Sequence, residues 1–222
     1  MKDASLQRRV QRWLTGAILR RALKVTVEGR EYLPSAGPYI MVFNHLHISD
    51  GMLLWSISTA STVFLSTDKF RKTNPLVHTY LRGTGALLIR EGVVDRRAIR
   101  ESLAALAAGG SIAIAPEGRI SKTGALCEAE PGVASLICHS QAPVVPVAIW
   151  GQHQAHKMWM AGKRPEVTIR FGRPVQFGRI ATTGPNLRSL TTQVMTEVAQ
   201  LLPPQYRGVY STETREEMSL CV

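Results

Sequence analysis

Cysteines, aromatic residues and long apolar runs are all scarce in this chain, and each scarcity argues against a class of protein. Its 222 residues include three cysteines, Cys127, Cys138 and Cys221. They form neither a C-x-x-C pair nor an even set, so we expect free thiols in a reducing compartment. Aromatic residues make up only 6%, few for a surface that stacks on nucleic-acid bases. The longest uncharged stretch, residues 51–67, is short and rich in Ser and Thr, so we predict no transmembrane helix.

Acidic residues are also scarce relative to basic ones. Lys and Arg total 27 against 16 Asp and Glu, which gives a net charge of +11. Such a surface attracts nucleic acid, acidic lipid headgroups or phosphorylated substrates. No helix-turn-helix, zinc-finger or RNA-binding signature accompanies the charge. We therefore expect an anionic membrane surface and no nucleic acid as the partner, with a nonenzymatic basic module as the alternative.

Residues 1–24 have the pattern of a basic amphipathic helix. One side carries the apolar residues Leu6, Val10, Trp13, Leu14, Ala17 and Ile18, and the other carries Arg8, Arg9 and Arg12. This composition is typical of a helix that lies in a membrane interface. A helix that packs on its own domain with a solvated basic face fits equally well. The chain does not open on an apolar run with a cleavage site, so we expect a peripheral protein on the cytoplasmic face of a membrane.

Short apolar runs alternate with helical patterns along the rest of the chain. The strand candidates are residues 24–28, 39–43, 62–65, 86–90, 111–115, 144–149 and 167–171. The helix candidates are residues 51–59, 75–81, 95–108, 131–139 and 186–201. Strands interleaved with helices predict a single α/β domain over residues 25–202, with a mixed sheet of about seven strands covered by helices. We expect residues 203–222 to form a surface-bound or frayed tail.

A histidine and an aspartate follow directly after the strand candidate 39–43. The sequence of residues 44–50 is Asn-His-Leu-His-Ile-Ser-Asp, at the carboxyl end of a strand, where α/β sheets carry their active sites. His45 and Asp50 can meet if the histidine lies in the turn and Asp50, or Ser49 before it, caps the next helix. The carboxylate would then fix the imidazole, whose other nitrogen could take a proton from a hydroxyl. Taken alone, the pattern fits a buried histidine and a helix-capping aspartate at least as well.

Three further segments follow in order. Residues 85–90 run from a glycine through a strand candidate to an arginine, residues 116–118 are a Pro-Glu-Gly turn, and residues 145–147 are an apolar Val-Pro-Val strand. With Asn44, His45 and Asp50 in an N-H-x-x-x-x-D pattern, these segments closely resemble the glycerolipid acyltransferase family typified by lysophosphatidic acid acyltransferases. The resemblance covers residues 25 to 180, and four ordered matches are hard to obtain by accident.

The resemblance implies acyl transfer without an acyl-enzyme. His45 would be the general base on an acceptor hydroxyl and Asp50 would orient it. The donor would be a thioester of coenzyme A or acyl carrier protein, and the acceptor a lysophospholipid or glycerol phosphate, lysophosphatidic acid above all. The substrate-binding residues implied are Asn44, Arg90, Glu117, Gly118, Arg119 and Pro146. An arginine suits a phosphate by charge and by its forked donors, and the family needs no metal or other cofactor.

One segment departs from the family pattern. The third segment usually has the sequence Glu-Gly-Thr-Arg, whereas residues 117–121 are Glu-Gly-Arg-Ile-Ser. Arg119 therefore stands one position early and Ile120 occupies the usual arginine position. Arg90 is the firmer candidate for a phosphate ligand, and the sequence leaves the acceptor, the acyl chain length and the thioester carrier open.

The same turn also suggests a different class of enzyme. His45, His47 and Asp50 resemble part of the H-x-H-x-D-H cluster of metallo-β-lactamase-like hydrolases, since alternate histidines can share a zinc ion. The aspartate stands one residue later than in that cluster, and no histidine follows it. The sequence favours acyl transfer and keeps the metal-dependent hydrolase as the alternative.

Overall fold

The centre of the fold is a strand of five apolar residues, Tyr39–Phe43, that is buried along its whole length. Such an unbroken apolar run is typical of a parallel strand covered on both faces. The computed structural model describes residues 2–59, 61–90, 95–152 and 155–211, and it places this strand in the middle of a seven-stranded sheet. The strands are β1 (Lys24–Glu28), β2 (Tyr39–Phe43), β3 (Thr62–Thr67), β4 (Leu87–Ile89), β5 (Ser111–Ile114), β6 (Val144–Trp150) and β7 (Glu166–Phe171).

The strand order is β1-β7-β6-β2-β5-β3-β4. Every neighbouring pair is parallel except β6 and β7, which are antiparallel. The expected α/β domain with a mixed sheet of about seven strands is confirmed. Because β2, β3, β4, β5 and β6 run in one direction, their carboxyl ends meet at the same edge of the sheet, and the segments that follow them are brought together there.

Helices cover both faces of the sheet. They are α1 (Lys2–Ala22), α2 (Ser49–Ile57), α3 (Phe70–Thr73), α4 (Pro75–Thr84), α5 (Arg96–Ala107), α6 (Gly132–Ser140), α7 (Ala155–Met160) and α8 (Gly184–Leu201). The alternating side chains of β2 separate two apolar clusters, since Tyr39, Met41 and Phe43 pack with α1 and α2. Ile40 and Val42 pack with α5, α6 and α8. The sequence patterns missed α3 and α7, which are too short to show a helical period.

The start of the C-terminal tail is packed rather than frayed. Residues 204–206 and 208–210 form two short 3-10 turns. Tyr210 is buried against the cluster under α8, and its hydroxyl accepts the Ala129 N–H at 3.1 Å. Residues 212–222, including Cys221, lie outside the described residues. In the ranges that the structure does describe, we find no helix with the length and apolar run needed to cross a membrane.

Candidate active site

The turn after β2 brings His45 and Asp50 into contact. Nδ1 of His45 lies 3.0 Å from Oδ2 of Asp50. The carboxylate is completely buried, whereas the imidazole is 24% exposed. With Nδ1 directed at the carboxylate, Nε2 lies on the opposite side of the ring. The pair therefore has the geometry of a histidine base oriented by a carboxylate.

Neither Asp50 nor Ser49 occupies the N-cap position of helix α2, where the sequence suggested one of them. Ile48 occupies the N-cap position and Asp50 lies in the first turn, where a negative charge is favourable. Its Oδ2 accepts the backbone N–H groups of Leu46 and His47, each at 2.8 Å. These donors belong to the turn that carries His45, so the carboxylate shapes the turn as well as contacting the imidazole.

The second oxygen of Asp50 has a partner that the sequence patterns missed. Gln152, fully buried after β6, donates from Nε2 to Oδ1 of Asp50 at 2.7 Å. The two residues are 102 positions apart. The only local signal was a polar residue directly after a buried apolar strand, in the sequence Trp150-Gly151-Gln152.

Asn44 uses its side chain to join two strands. Its Nδ2 donates to the Ile149 carbonyl, and its Oδ1 accepts the Ile149 N–H, both at 2.7 Å. The side chain thereby extends the β2–β6 ladder past the end of β2. Asn44 is completely buried, so these contacts favour a role in positioning the site, and the expected contact with substrate stays a prediction.

Glu117 likewise bonds the protein backbone. Its Oε1 accepts the N–H of His45 and its Oε2 that of Cys127, both at 2.8 Å. Burial raises the pKa of the Glu117 carboxyl, and the two backbone donors oppose that shift. The carboxyl therefore supports the backbone of His45 from the turn after β5, and its role toward substrate remains a prediction.

Gly118 and Arg119 lie in the turn that Glu117 opens. Gly118 has a φ of +63°, a left-handed conformation that glycine adopts without strain. Two residues beyond Arg119, the Ser121 N–H donates to the His45 carbonyl at 2.8 Å. The exposed Arg119 thus lies in a turn fastened to the backbone of His45.

Arg90 and Pro146 lie at different depths. Arg90 follows β4 with 76% of its side chain exposed, and its Nε is 4.0 Å from Oδ2 of Asp95. Since β4 is three strands from β2, Arg90 lies roughly 14 Å across the sheet edge at about 4.8 Å per strand. Pro146 is buried inside β6, paired with Val42, and its expected role in lining the substrate groove stays a prediction.

His47, the second histidine of the alternative metal site, has a hydrogen bond on one ring nitrogen. Nδ1 of His47 lies 2.9 Å from the Ser49 hydroxyl. Among the residues that the structure describes, no group of three or more His, Cys, Asp or Glu side chains is arranged to hold a metal ion. The described geometry thus offers the hydrolase alternative no ligand set.

Helix α1 packs on the domain through a partly polar face. Arg12 donates to the Ser58 carbonyl and lies 5.0 Å from the centroid of the Trp55 ring, and burial lowers the pKa of its guanidinium. Thr15 Oγ1 lies 3.0 Å from the Tyr80 hydroxyl. The opposite face exposes the apolar side chains of Leu6, Val10, Trp13, Leu14 and Ile18. The helix therefore packs on its own domain and still presents an apolar surface outward.

Helix α7 lies next to the end of α1. The Trp159 indole N–H donates to the Ala22 carbonyl at the end of α1, at 3.1 Å. Trp159, itself 48% exposed, therefore adds an apolar side chain beside the end of that helix. Met160 beside it is 78% exposed. We call the exposed apolar residues of α1, together with Trp159 and Met160, the outer apolar surface.

Comparisons with known proteins agree with this geometry. An acyltransferase family model matches residues 24–150, more than half of the chain. A 1-acyl-sn-glycerol-3-phosphate acyltransferase of Cocos nucifera is 26% identical over 161 residues, covering 68% of this chain and 50% of its own length. The chain thus spans about half the length of that relative. The crystal structure of the 1-acyl-sn-glycerophosphate (LPA) acyltransferase PlsC of Thermotoga maritima superposes with a TM-score of 0.64 at 23% identity, covering 84% of this chain and 76% of that one. The resemblance carried by the four segments is confirmed, and the chain belongs to the acyltransferase family.

Proposed function

We propose that this protein transfers a fatty acyl group from a thioester to the free hydroxyl of a lysophospholipid, with 1-acylglycerol 3-phosphate as the preferred acceptor. The observation that carries the proposal is the contact between His45 and the buried Asp50, at the sheet edge where a family of acyltransferases has its first sequence signature. The names of the plant and bacterial relatives support the choice of acceptor. An acceptor of the same chemistry, such as another lysolipid or glycerol 3-phosphate, is the alternative.

In the proposed reaction, Nε2 of His45 removes the proton from the acceptor hydroxyl as its oxygen attacks the thioester carbonyl. A C–O bond forms, the tetrahedral intermediate collapses, and the C–S bond breaks. The histidine returns its proton to the departing thiolate, so the products are the new ester and the free thiol. Asp50 holds the imidazole and stabilises its positive charge during the transfer.

The charges at the sheet edge support a phosphate-bearing acceptor. Arg90 and Arg119 are both exposed there, on turns that follow β4 and β5. Asp95, whose pKa is lowered chiefly by the N–H of Ala98, accepts the N–H of Arg90 at 3.4 Å and so holds the backbone of Arg90 at the end of β4. We assign Arg90 and Arg119 to the anionic groups of the two substrates, because a guanidinium binds phosphate through paired donors.

The outer apolar surface supports a membrane location for the reaction. Exposed Trp, Ile and Leu side chains beside a chain of net charge +11 suit the interface of an anionic bilayer. Lysophospholipids and long acyl thioesters partition into that interface, so a surface-bound enzyme meets both. We propose peripheral attachment at the cytoplasmic face, in keeping with the free thiols of Cys127 and Cys138.

The first test is release of free thiol from palmitoyl-CoA by the purified protein, with lysophosphatidic acid, other lysolipids or no acceptor. We expect release that depends on lysophosphatidic acid and falls by about a hundredfold or more in His45→Ala, since general-base help contributes about 10²- to 10⁴-fold. The matched control is His139→Ala, because that exposed histidine of α6 bonds the Ser135 carbonyl of its own helix.

The same assay with acylated acyl carrier protein covers the second donor. Transfer to another acceptor alone would keep the reaction class and change the substrate. Equal activity of His45→Ala and the wild type would refute the mechanism. Absence of transfer with both donors and every acceptor would refute the proposed function.

A further inference from the structure

The geometry points to Gln152 as a positioning residue: its amide fixes the plane of the Asp50 carboxylate and thereby the direction in which Asp50 holds His45. The kinetic consequence of this inference rests on the proposed acyl transfer. Its structural consequence can be measured on the protein without substrate.

The contacts of Asp50 divide between its two oxygens. Oδ2 contacts His45 and the backbone of the same turn, whereas Oδ1 accepts the Gln152 amide at 2.7 Å. A carboxylate is planar, so donors on both oxygens fix its rotation about the Cβ–Cγ bond. If Oδ1 lost its donor, a buried charged oxygen would lack a partner and the plane could turn away from the imidazole.

The hydrogen bond between Gln152 and Asp50 sets the orientation of the Gln152 side-chain amide. A carboxylate only accepts hydrogen bonds, so the NH2 end of Gln152 must face Asp50. The other end, Oε1, is buried and has no hydrogen-bond partner among the described residues. An unpaired buried acceptor costs about 1–3 kcal/mol, which an apolar side chain of similar length would avoid. The bond to Asp50 therefore explains an amide at this position.

Gln152 lies beside Asp50 because it follows directly after the end of β6. Asn44, next to His45, holds both backbone groups of Ile149, three residues before Gln152. Gly151 has a φ of +100°, and a Cβ there would lie 2.1 Å from the Glu166 carbonyl, so the chain turns closely against β7. The position of Gln152 is thus set by the same strands that position His45 and Asp50, which we call the dyad.

The test compares Gln152→Met and Gln152→Glu with the matched control Gln176→Met, since Gln176 is an exposed glutamine that bonds the Gln141 carbonyl. In Gln152→Met we expect kcat to fall by about ten- to hundredfold, the size of loss that follows from a small misplacement of a catalytic group. KM for both substrates should stay within about twofold, because the residue does not touch them. Relative to the wild type at the same pH, Gln152→Glu should recover part of kcat at low pH, where the introduced carboxyl is protonated and donates, and lose it as the pH rises.

The second readout needs no activity. The proton on Nδ1 of His45 gives a downfield resonance in protein labelled with 15N-histidine when it is held by a carboxylate. We expect this resonance to broaden or shift in Gln152→Met and to be unchanged in Gln176→Met. A wild-type resonance and wild-type kcat in Gln152→Met would overturn the inference, even if that variant were less stable. A wild type with no transferase activity would refute the proposed function, while the resonance would still decide the role of Gln152.

Discussion

At the scale of single residues, the buried polar side chains around the dyad hydrogen-bond other parts of the protein and hold the turn after β2 in place. Asn44, Glu117 and Gln152 are all buried, and each joins the turn after β2 to a different part of the chain. Their hydrogen bonds reach Ile149, Cys127 and Asp50. These hydrogen bonds can hold His45 and Asp50 in the geometry needed for proton transfer before substrate binds.

Glu117 gives a test of how burial and hydrogen bonding compete. Because its pKa is raised in the folded protein, the folded state binds the proton more tightly than the unfolded state does. The contribution of the carboxyl to stability is then greatest below its unfolded pKa, about 4.3, and is lost as the pH rises through the folded pKa. The free energy of unfolding of the wild type relative to Glu117→Gln should therefore decrease from pH 4 upward, by at most about 1.4 kcal/mol per pH unit.

Urea denaturation of both proteins across this pH range measures the difference. Glu31→Gln, at an exposed position in the turn before β2, controls for the removal of a surface carboxyl. A difference that grows with pH would mean that the N–H groups of His45 and Cys127 outweigh the burial of Glu117.

At the scale of elements, α1 is amphipathic with its apolar side outward. Leu19 and Leu23 pack into the cluster beneath it, and Arg12 and Thr15 make polar contacts with neighbouring helices. Its truncation would uncover the surfaces of α2 and α4 as well as remove the proposed membrane contact. Substitutions on the outer face separate the two effects.

The double substitution Trp13→Ser and Ile18→Ser removes two side chains that are each 66% exposed. We expect affinity for anionic vesicles to fall by about tenfold or more, since burying one large apolar side chain contributes about 1.5–3 kcal/mol. The free energy of unfolding should change by less than about 0.5 kcal/mol for each exposed site. Vesicle flotation and urea denaturation give the two quantities.

Val209→Ser is the matched control for that pair. Val209 is an exposed apolar residue whose backbone bonds Leu126, on the side of the sheet opposite α1. Equal vesicle affinity of the double variant and the wild type would show that the outer apolar surface does not enter the membrane.

At the scale of the whole molecule, we expect the net charge of +11 to add an electrostatic attraction for anionic membranes to that of the outer apolar surface. We expect binding to vesicles containing phosphatidylglycerol to exceed binding to neutral phosphatidylcholine vesicles at low salt. The excess should shrink between about 0.01 M and 1 M salt, as the Debye length falls from about 30 Å to about 3 Å. Each Lys or Arg near an anionic surface contributes about 1 kcal/mol.

Cosedimentation with vesicles across that salt range measures the electrostatic contribution to binding. The binding that remains at high salt measures the apolar contribution. Equal binding to neutral and anionic vesicles would contradict an electrostatic contribution. Salt-sensitive binding to DNA without any binding to vesicles would instead favour a basic nucleic-acid module.

The sequence by itself determined the strands, the family and the His45–Asp50 pair, because each depends on local patterns and their order along the chain. Apolar runs that alternate with helical patterns predicted all seven strands. The four ordered segments indicated the family without any information on contacts between residues. The spacing of His45 and Asp50 within one turn was also enough to suggest that they meet.

Only the tertiary structure decided what surrounds the dyad. Asn44 and Ile149 are 105 residues apart, Asp50 and Gln152 are 102 apart, and His45 and Glu117 are 72 apart. These contacts depend on β2 lying between β5 and β6, an order that no local pattern contains. The face by which α1 packs was open for the same reason, since a helical period shows that a helix has two faces but not which of them meets the domain.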